Sequence, residues 1–287
     1  MKSALKLYHK LIHLPHSNMW WFESGTRRLK TRDCFLQAVL KEMDRLDIPS
    51  QIEPLLSSIN PLQASKILYH LGLMSPVLKV QDCSAELFNV GMETIYNRFA
   101  FEAWLYIYAD GLKLEMNGVA VTGVYCKHFS HCLSLGTTKY AFDDEVEAIR
   151  VALTYSNARL PLFDQDVIFS DSQAAIMAIA NCSQAPSSMS IMQCRSLMGE
   201  MREKYKTIVL QWIPSHCGIP GNEKADGLAK KGCLVNQAPY NLVSYKSALS
   251  MINQLLNTTH MSSMKERTKE NPRRKTKKRM EFLDLLE

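Results

Sequence analysis

Four acidic residues and one histidine have the types and spacing to do chemistry together. Asp110 closes the apolar run WLYIYAD and Asp171 closes QDVIFSD. Strand ends bordering a crevice are where α/β sheets bind their ligands. In AFDDEVEAIRVALTYSNA, Glu145 falls inside the arc of Val146, Ala148, Ile149, Ala152 and Leu153, so helical periodicity turns it inward. Glu147, roughly 200° further round at ~100° per residue, is expected to face solvent. Asp143 and Asp144 stand at the helix start, where the dipole favours acids. Asp226 lies among Ala225, Leu228 and Ala229 on a helix that follows the loop in IPSHCGIPGNEKAD, and it too should point inward. Four inward carboxylates repel one another unless cations neutralise them, and all-oxygen ligation suits Mg²⁺ or Mn²⁺ rather than zinc. The obvious use of such a set is phosphoryl transfer by two metal ions. His216 lies in the loop ten residues before Asp226.

The elements that must hold these residues follow from hydrophobic period. WLYIYAD, GVAVTGVYCKHF and HCLSLGTT read as three adjacent strands, with turns expected at Asn117-Gly118 and around Ser130-His131. A helix over 141–158, the strand QDVIFSD, a helix opening at Ser172, a second helix MSIMQCRSLMGEMREKYK and the strand TIVLQWIP come next. A last helix starts near Asn222, which suits a cap, and Trp212 is expected in the core. Strands joined by crossover helices imply a mixed sheet with helices on its faces. Ahead of this, SALKLYHKLIHL, RDCFLQAVLKEMDRL and PLQASKILYHLGL show three- and four-residue apolar spacing and read as helical.

Composition bounds the class. The chain has 287 residues, 46% of them hydrophobic, which is enough for one substantial core with smaller appendages. Its apolar runs are too short to span a bilayer and the N-terminus lacks a signal-peptide core, so an intracellular protein is expected, in cytoplasm or nucleus. The 8 cysteines form no CxxC pair, which favours reduced thiols over disulfides or structural zinc. Residues 101–240 carry 12 basic and 14 acidic side chains, and residues 241–287 carry 10 and 5, so attraction to phosphate belongs mainly to the flanks. The lysine- and arginine-rich KERTKENPRRKTKKR reads as a disordered nucleic-acid-attracting tail or import signal.

YADG with Asp110, DEVEAI with Glu145, SDSQAAI with Asp171, and SHCGIPGNEKADGLAK with His216 and Asp226 resemble the ordered motifs of type 1 ribonuclease H domains. The resemblance covers residues 101–235 and is closest to domains of non-LTR retrotransposon polyproteins, which follow a reverse transcriptase. It implies an α/β fold: a mixed five-stranded sheet, its first three strands antiparallel, with helices on both faces and a helical region before it. The implied division is residues 1–100 as a remnant of the polymerase-to-nuclease connection, 101–235 as the nuclease, 236–263 as linker and helix, and 264–287 as the basic tail.

The implied activity is endonucleolytic hydrolysis of the RNA strand of RNA/DNA hybrids, leaving 5′-phosphate ends. Two Mg²⁺ ions, or Mn²⁺, would be held by Asp110, Glu145, Asp171 and Asp226, with His216 aiding proton movement or product release. Ser172, Gln173 and Asn222 would contact nucleic acid; the chain has no obvious basic protrusion to grip the hybrid, and Arg195 and Arg202, among the basic residues of the helix before the last strand, are the nearest substitute. The implied partner is the hybrid, without membrane or small-molecule cofactor, and the protein would be a monomer or part of a larger polyprotein. The sequence departs from the family at Leu112, where a small or hydroxyl residue is usual after Asp-Gly. A catalytically weak or inactive nucleic-acid-binding remnant therefore stays open, as does, separately, a different enzyme on the same fold, such as a transposase, integrase or exonuclease.

Overall fold

A computed structural model describes residues 35–45, 67–76, 83–113, 119–136, 141–158, 163–182 and 188–232, with isolated residues elsewhere. The chain divides into two compact units, residues 51–247 and residues 1–50 with 248–287. In the smaller, the described part of RDCFLQAVLKEMDRL, Phe35–Arg45, forms a helix as expected, α1, with Val39 and Met43 buried. The turn expected at Asn117-Gly118 and the basic tail lie outside the described residues.

The larger unit contains β1 (Leu68–His70), α2 (Ser84–Arg98), β2 (Trp104–Lys113), β3 (Ala120–Cys126), β4 (Phe129–Gly136), α3 (Ala141–Ala158), β5 (Gln165–Ser170), α4 (Gln173–Ala180), α5 (Met189–Glu203), β6 (Thr207–Trp212) and α6 (Pro220–Gly232). The strands form one sheet in the order β1-β6-β5-β2-β3-β4. β2, β3 and β4 pair antiparallel, while β1, β6, β5 and β2 run parallel to their neighbours. This is the expected mixed α/β sheet, extended by one edge strand.

That sixth strand corrects a reading of the sequence. PLQASKILYHLGL has helical spacing, yet Leu68–His70 pairs in parallel with Val209–Gln211. Backbone pairing along a ready-made sheet edge outweighs the marginal helical preference of a short segment. The β3–β4 turn is also displaced: it falls at Lys127-His128, and Ser130 and His131 lie inside β4. Tyr155 of α3 fixes this register, since its ring stacks on Phe129 at 5.6 Å and its hydroxyl lies 2.9 Å from His131 Nδ1.

Side-chain alternation divides the interior into two cores. Ile107 and Ala109 of β2 face one way, onto α3, α4 and α5, and pack with Ile149, Leu153, Ile176 and Met201. Tyr108 faces the other way and joins Phe169, Val209, Leu87, Ile95 and Ala225, under α2 and α6. The central strands β5 and β6 are covered on both faces, which is why VIF and TIVL read as unbroken apolar runs. α2 is thus an integral part of the second core, although it lies ahead of the expected nuclease boundary at residue 101.

Candidate metal centre

β2 and β5 carry two of the acids to one place by register alone. Tyr108 pairs with Phe169, and Asp110 and Asp171 follow two residues later on adjacent parallel chains. Asp110 does not end its strand, as β2 continues to Lys113. Asp171 lies just past the end of β5, and its carbonyl accepts a hydrogen bond from Trp212 Nε1 at 3.1 Å. Trp212 is buried, as expected, and ties the end of β6 to the residue that carries the acid.

Glu145 arrives from near the start of α3, and Gly111 makes the approach close enough. A Cβ on Gly111 would lie 2.5 Å from Asp144 C and from Glu145 N, so any larger residue would push the helix start off the strand. With glycine there, the Gly111 amide donates toward the carboxylates of Asp110 and Glu145. Carboxylate oxygens of Asp110, Glu145 and Asp171 all lie within 4.8 Å of one another.

Asp226 is brought in by a second close approach. α6 crosses β3 at Gly123, where a Cβ would lie 2.0 Å from Ala225 O and 2.5 Å from Ala229 N. Gly123 is the register partner of Asp110, so the helix bearing Asp226 is seated directly beside the other acids. Asp226 is buried, and its Oδ2 accepts a hydrogen bond from Lys230 Nζ at 2.5 Å. Sequence reasoning missed Lys230, although its i,i+4 spacing from Asp226 is the signal that would have found it.

The electrostatics are those of a cation site. Burial, reinforced by the neighbouring charges of Asp171 and Asp226, pushes the Asp110 carboxyl up to about 7; the Gly111 amide and Lys230 only partly offset this. Burial likewise drives Glu145 well above the usual carboxylate range, with Asp171 and Asp110 adding to it. The outer part of Glu145 is partly exposed, but its Oε2 is buried and has no hydrogen-bond partner. An all-oxygen set, mutually repelling and with one oxygen orphaned, fits a hard divalent cation. Asp110, Glu145 and Asp171 are the residues that would hold it.

Several expected roles change. Glu147 does not face solvent: α5 packs over that side of α3, and Glu147 accepts hydrogen bonds from Ser190 Oγ at 2.7 Å and Arg150 Nε at 2.8 Å. Arg195 is not placed to contact nucleic acid. It is buried, and its guanidinium donates to the carbonyls of Ile179, Ala178 and Asn181, closing the C-terminal end of α4. Asn222 is neither a cap nor a surface contact, because α6 begins two residues earlier at Pro220, the favoured first position, which leaves Asn222 buried in the first turn.

Ser172 caps α4, accepting from Ala175 N at 3.3 Å. Gln173 is exposed and donates to Leu71 O at 3.0 Å, and Arg202 is exposed at the end of α5. His216 is exposed on the loop before α6, with a left-handed backbone (φ 52°) that a non-glycine residue rarely adopts. Leu112 is half-buried in β2 opposite Val121. No described helix is long and apolar enough to cross a membrane.

No curated protein matches the chain. The family model of RNase H matches residues 102–234, a span that begins just before β2, ends just after α6 and takes in all four acids. Residues 102–234 of this chain are therefore a ribonuclease H domain.

Proposed function

We propose that the domain hydrolyses the RNA strand of RNA/DNA hybrids endonucleolytically, with two Mg²⁺ ions held by Asp110, Glu145, Asp171 and Asp226. The observation that carries this is the meeting of Asp110, Glu145 and Asp171 oxygens within 4.8 Å at the junction of the parallel and antiparallel halves of the sheet. Divalent cations bound there supply positive charge to the scissile phosphate and render water nucleophilic near neutral pH.

The chain's own residues do the rest. Asp110, Glu145, Asp171 and, once Lys230 releases it, Asp226 would hold the ions, with Asp110 shared between them. His216, on a solvent-facing loop, carries a proton or assists product departure. Ser172 and Gln173, at the start of α4 next to Asp171, would contact the bound strand; Arg202, beside Thr207 at the other end of β6, would meet nucleic acid only away from the acids.

The test is incubation of the full chain with Mg²⁺ and three substrates: a hybrid, duplex DNA and single-stranded RNA. Internal cuts confined to the RNA of the hybrid, with 5′-phosphate ends, support the reading. Intact hybrid, or equal cutting of all three, refutes it. The block GIPGNEKADGLAK further supports descent from a retrotransposon polyprotein, in which the segment before residue 101 would join polymerase to nuclease. The part of that segment that forms β1 and α2 is built into the nuclease sheet and core.

A weakly active remnant is the second reading, and Leu112 is the observation that favours it. Two residues beyond Asp110, a branched apolar side chain stands where the family usually has a small or hydroxyl residue, and it offers no hydrogen bond to a phosphate strand. Leu112→Ser is expected to raise kcat/KM on hybrid roughly 5- to 10-fold, the worth of about one regained hydrogen bond. Unchanged steady-state kinetics in that variant would show that Leu112 does not limit the enzyme.

A further inference from the structure

On the α2/α6 face of the sheet lies an open cleft of about 410 Å³, and its lining is unlike the rest of the surface. Its floor is the same-face row Trp104, Tyr106 and Tyr108 of β2, and its walls include Tyr96, Phe101 and Phe163. Tyr96 and Phe101 are 57% and 55% exposed, although the core beneath is already closed by Phe99 and Phe169 packing edge to face at 5.7 Å. These two rings are therefore not left out for want of a core to fill.

The charges on the cleft are all basic. Lys127 and Lys224 stand on it, with Lys127 Nζ 5.8 Å from the centre of the Phe101 ring and Lys224 Nζ 2.9 Å from Tyr125 Oη. Among the described residues no carboxylate lines it. A ligand that satisfies both features must offer a flat face to the aromatic rings and a negative charge to the ammonium groups. A volume of this size accommodates a single such unit.

The cleft lies along the same face of β2 as Asp110. Tyr108 and Asp110 are two residues apart on the same face of β2, about 7 Å, and Trp104 is about 20 Å from Asp110 along the strand. Lys224 stands two residues before Asp226 on α6. We propose that this cleft binds a nucleotide of a single-stranded segment continuing from the nucleic acid held at the acid centre, its base against Phe101 and Tyr96 and its phosphate at Lys127 and Lys224. The source of the strand rests on the hybrid-nuclease reading; the cleft's affinity for a nucleotide does not.

The experiment uses the full chain in EDTA at 0.15 M salt, with fluorescein-labelled octauridylate followed by anisotropy and UMP as competitor. Phe101→Ala and Lys127→Ala alter exposed residues outside the acid centre, so the fold and cleavage of a blunt hybrid should be retained. Base stacking on an aromatic ring is worth ~1–3 kcal/mol, so Phe101→Ala should weaken octauridylate binding about 5- to 150-fold. Lys127→Ala should weaken it and flatten the salt dependence, while Phe101→Tyr keeps the parental affinity. UMP should displace the probe from the parent chain. Unchanged binding in both alanine variants overturns the proposal. So does displacement by an acidic aromatic peptide, (Glu-Trp)₄, but not by UMP. Because binding is read without metal, failure of hybrid cleavage is a separate result.

Discussion

Asp110→Asn is expected to lower hybrid cleavage at least 10³-fold while making the metal-free protein more stable at pH 8, two effects of opposite sign from one atom change. The loss of activity follows because Asp110 meets Glu145 and Asp171 within 4.8 Å and also feels the charge of Asp226, so it would serve both ions. The gain in stability follows from linkage. The Asp110 carboxyl ordinarily titrates at 3.8 but is held at about 7 in the folded chain. Between those values the folded protein keeps a proton that the unfolded chain has released, so stability falls as pH rises through this window and the loss is complete above it.

At ~1.4 kcal/mol per pH unit, the shift corresponds to at most about 4 kcal/mol, and Glu145 acts in the same direction. In EDTA the melting temperature of the parent should therefore fall from pH 5 to pH 8, and Asp110→Asn should flatten the profile. Saturating Mg²⁺ should restore the parent at pH 8 and do little for the variant, as scanning calorimetry with and without the ion would show. A parent profile that is flat in EDTA would contradict the buried-charge argument.

Gly123→Val should be the most damaging substitution outside the acids. Even a single Cβ there would sit 2.0 Å from a backbone oxygen of α6, an atom that no rotamer change can move aside. α6 must lift from β3, and with it Ala225 leaves the second core and Asp226 leaves the acid group. Overpacking of this kind costs about 3 kcal/mol or more, roughly 6–12 °C in melting temperature for a domain this size. Cleavage should fall alongside stability, and urea unfolding with a parallel assay at low temperature separates the two. Gly123→Ala should show a smaller version of both effects. A valine variant with parental stability would mean that α6 does not seat where the structure puts it.

What the sequence disclosed was set by local period. Asp171 and the inward turn of Glu145 and Asp226 were legible because strand ends and apolar arcs are local patterns; Asp110 was legible as the acid that interrupts an apolar run, although β2 continues past it to Lys113. The five principal strands were legible for the same reason, since β-branched and aromatic runs punctuated by acids have few other readings. Glu147 was misread because periodicity knows only the helix's own apolar arc, whereas α5 supplies a second partner that covers the opposite side. Arg195 looked like one cation among several on a surface helix, but its burial depends on where the carbonyls of α4 end. β1 could not be read at all: three exposed residues carry no strand signal of their own, and only the free edge of β6 gives them a partner. The glycines at 111 and 123 were visible as letters, but their purpose requires knowing what crosses them.

Titration calorimetry of the full chain with Mn²⁺ at pH 7 separates a cation site from a cluster of merely buried acids most directly. Asp110 holds its proton up to about 7, so filling the site must expel it. The expected result is saturable binding whose heat varies with the ionisation enthalpy of the buffer, lost in Glu145→Gln and retained in Glu147→Gln. Absence of binding, or equal binding by parent and Glu145→Gln, would contradict the assignment of Asp110, Glu145 and Asp171 as the metal centre.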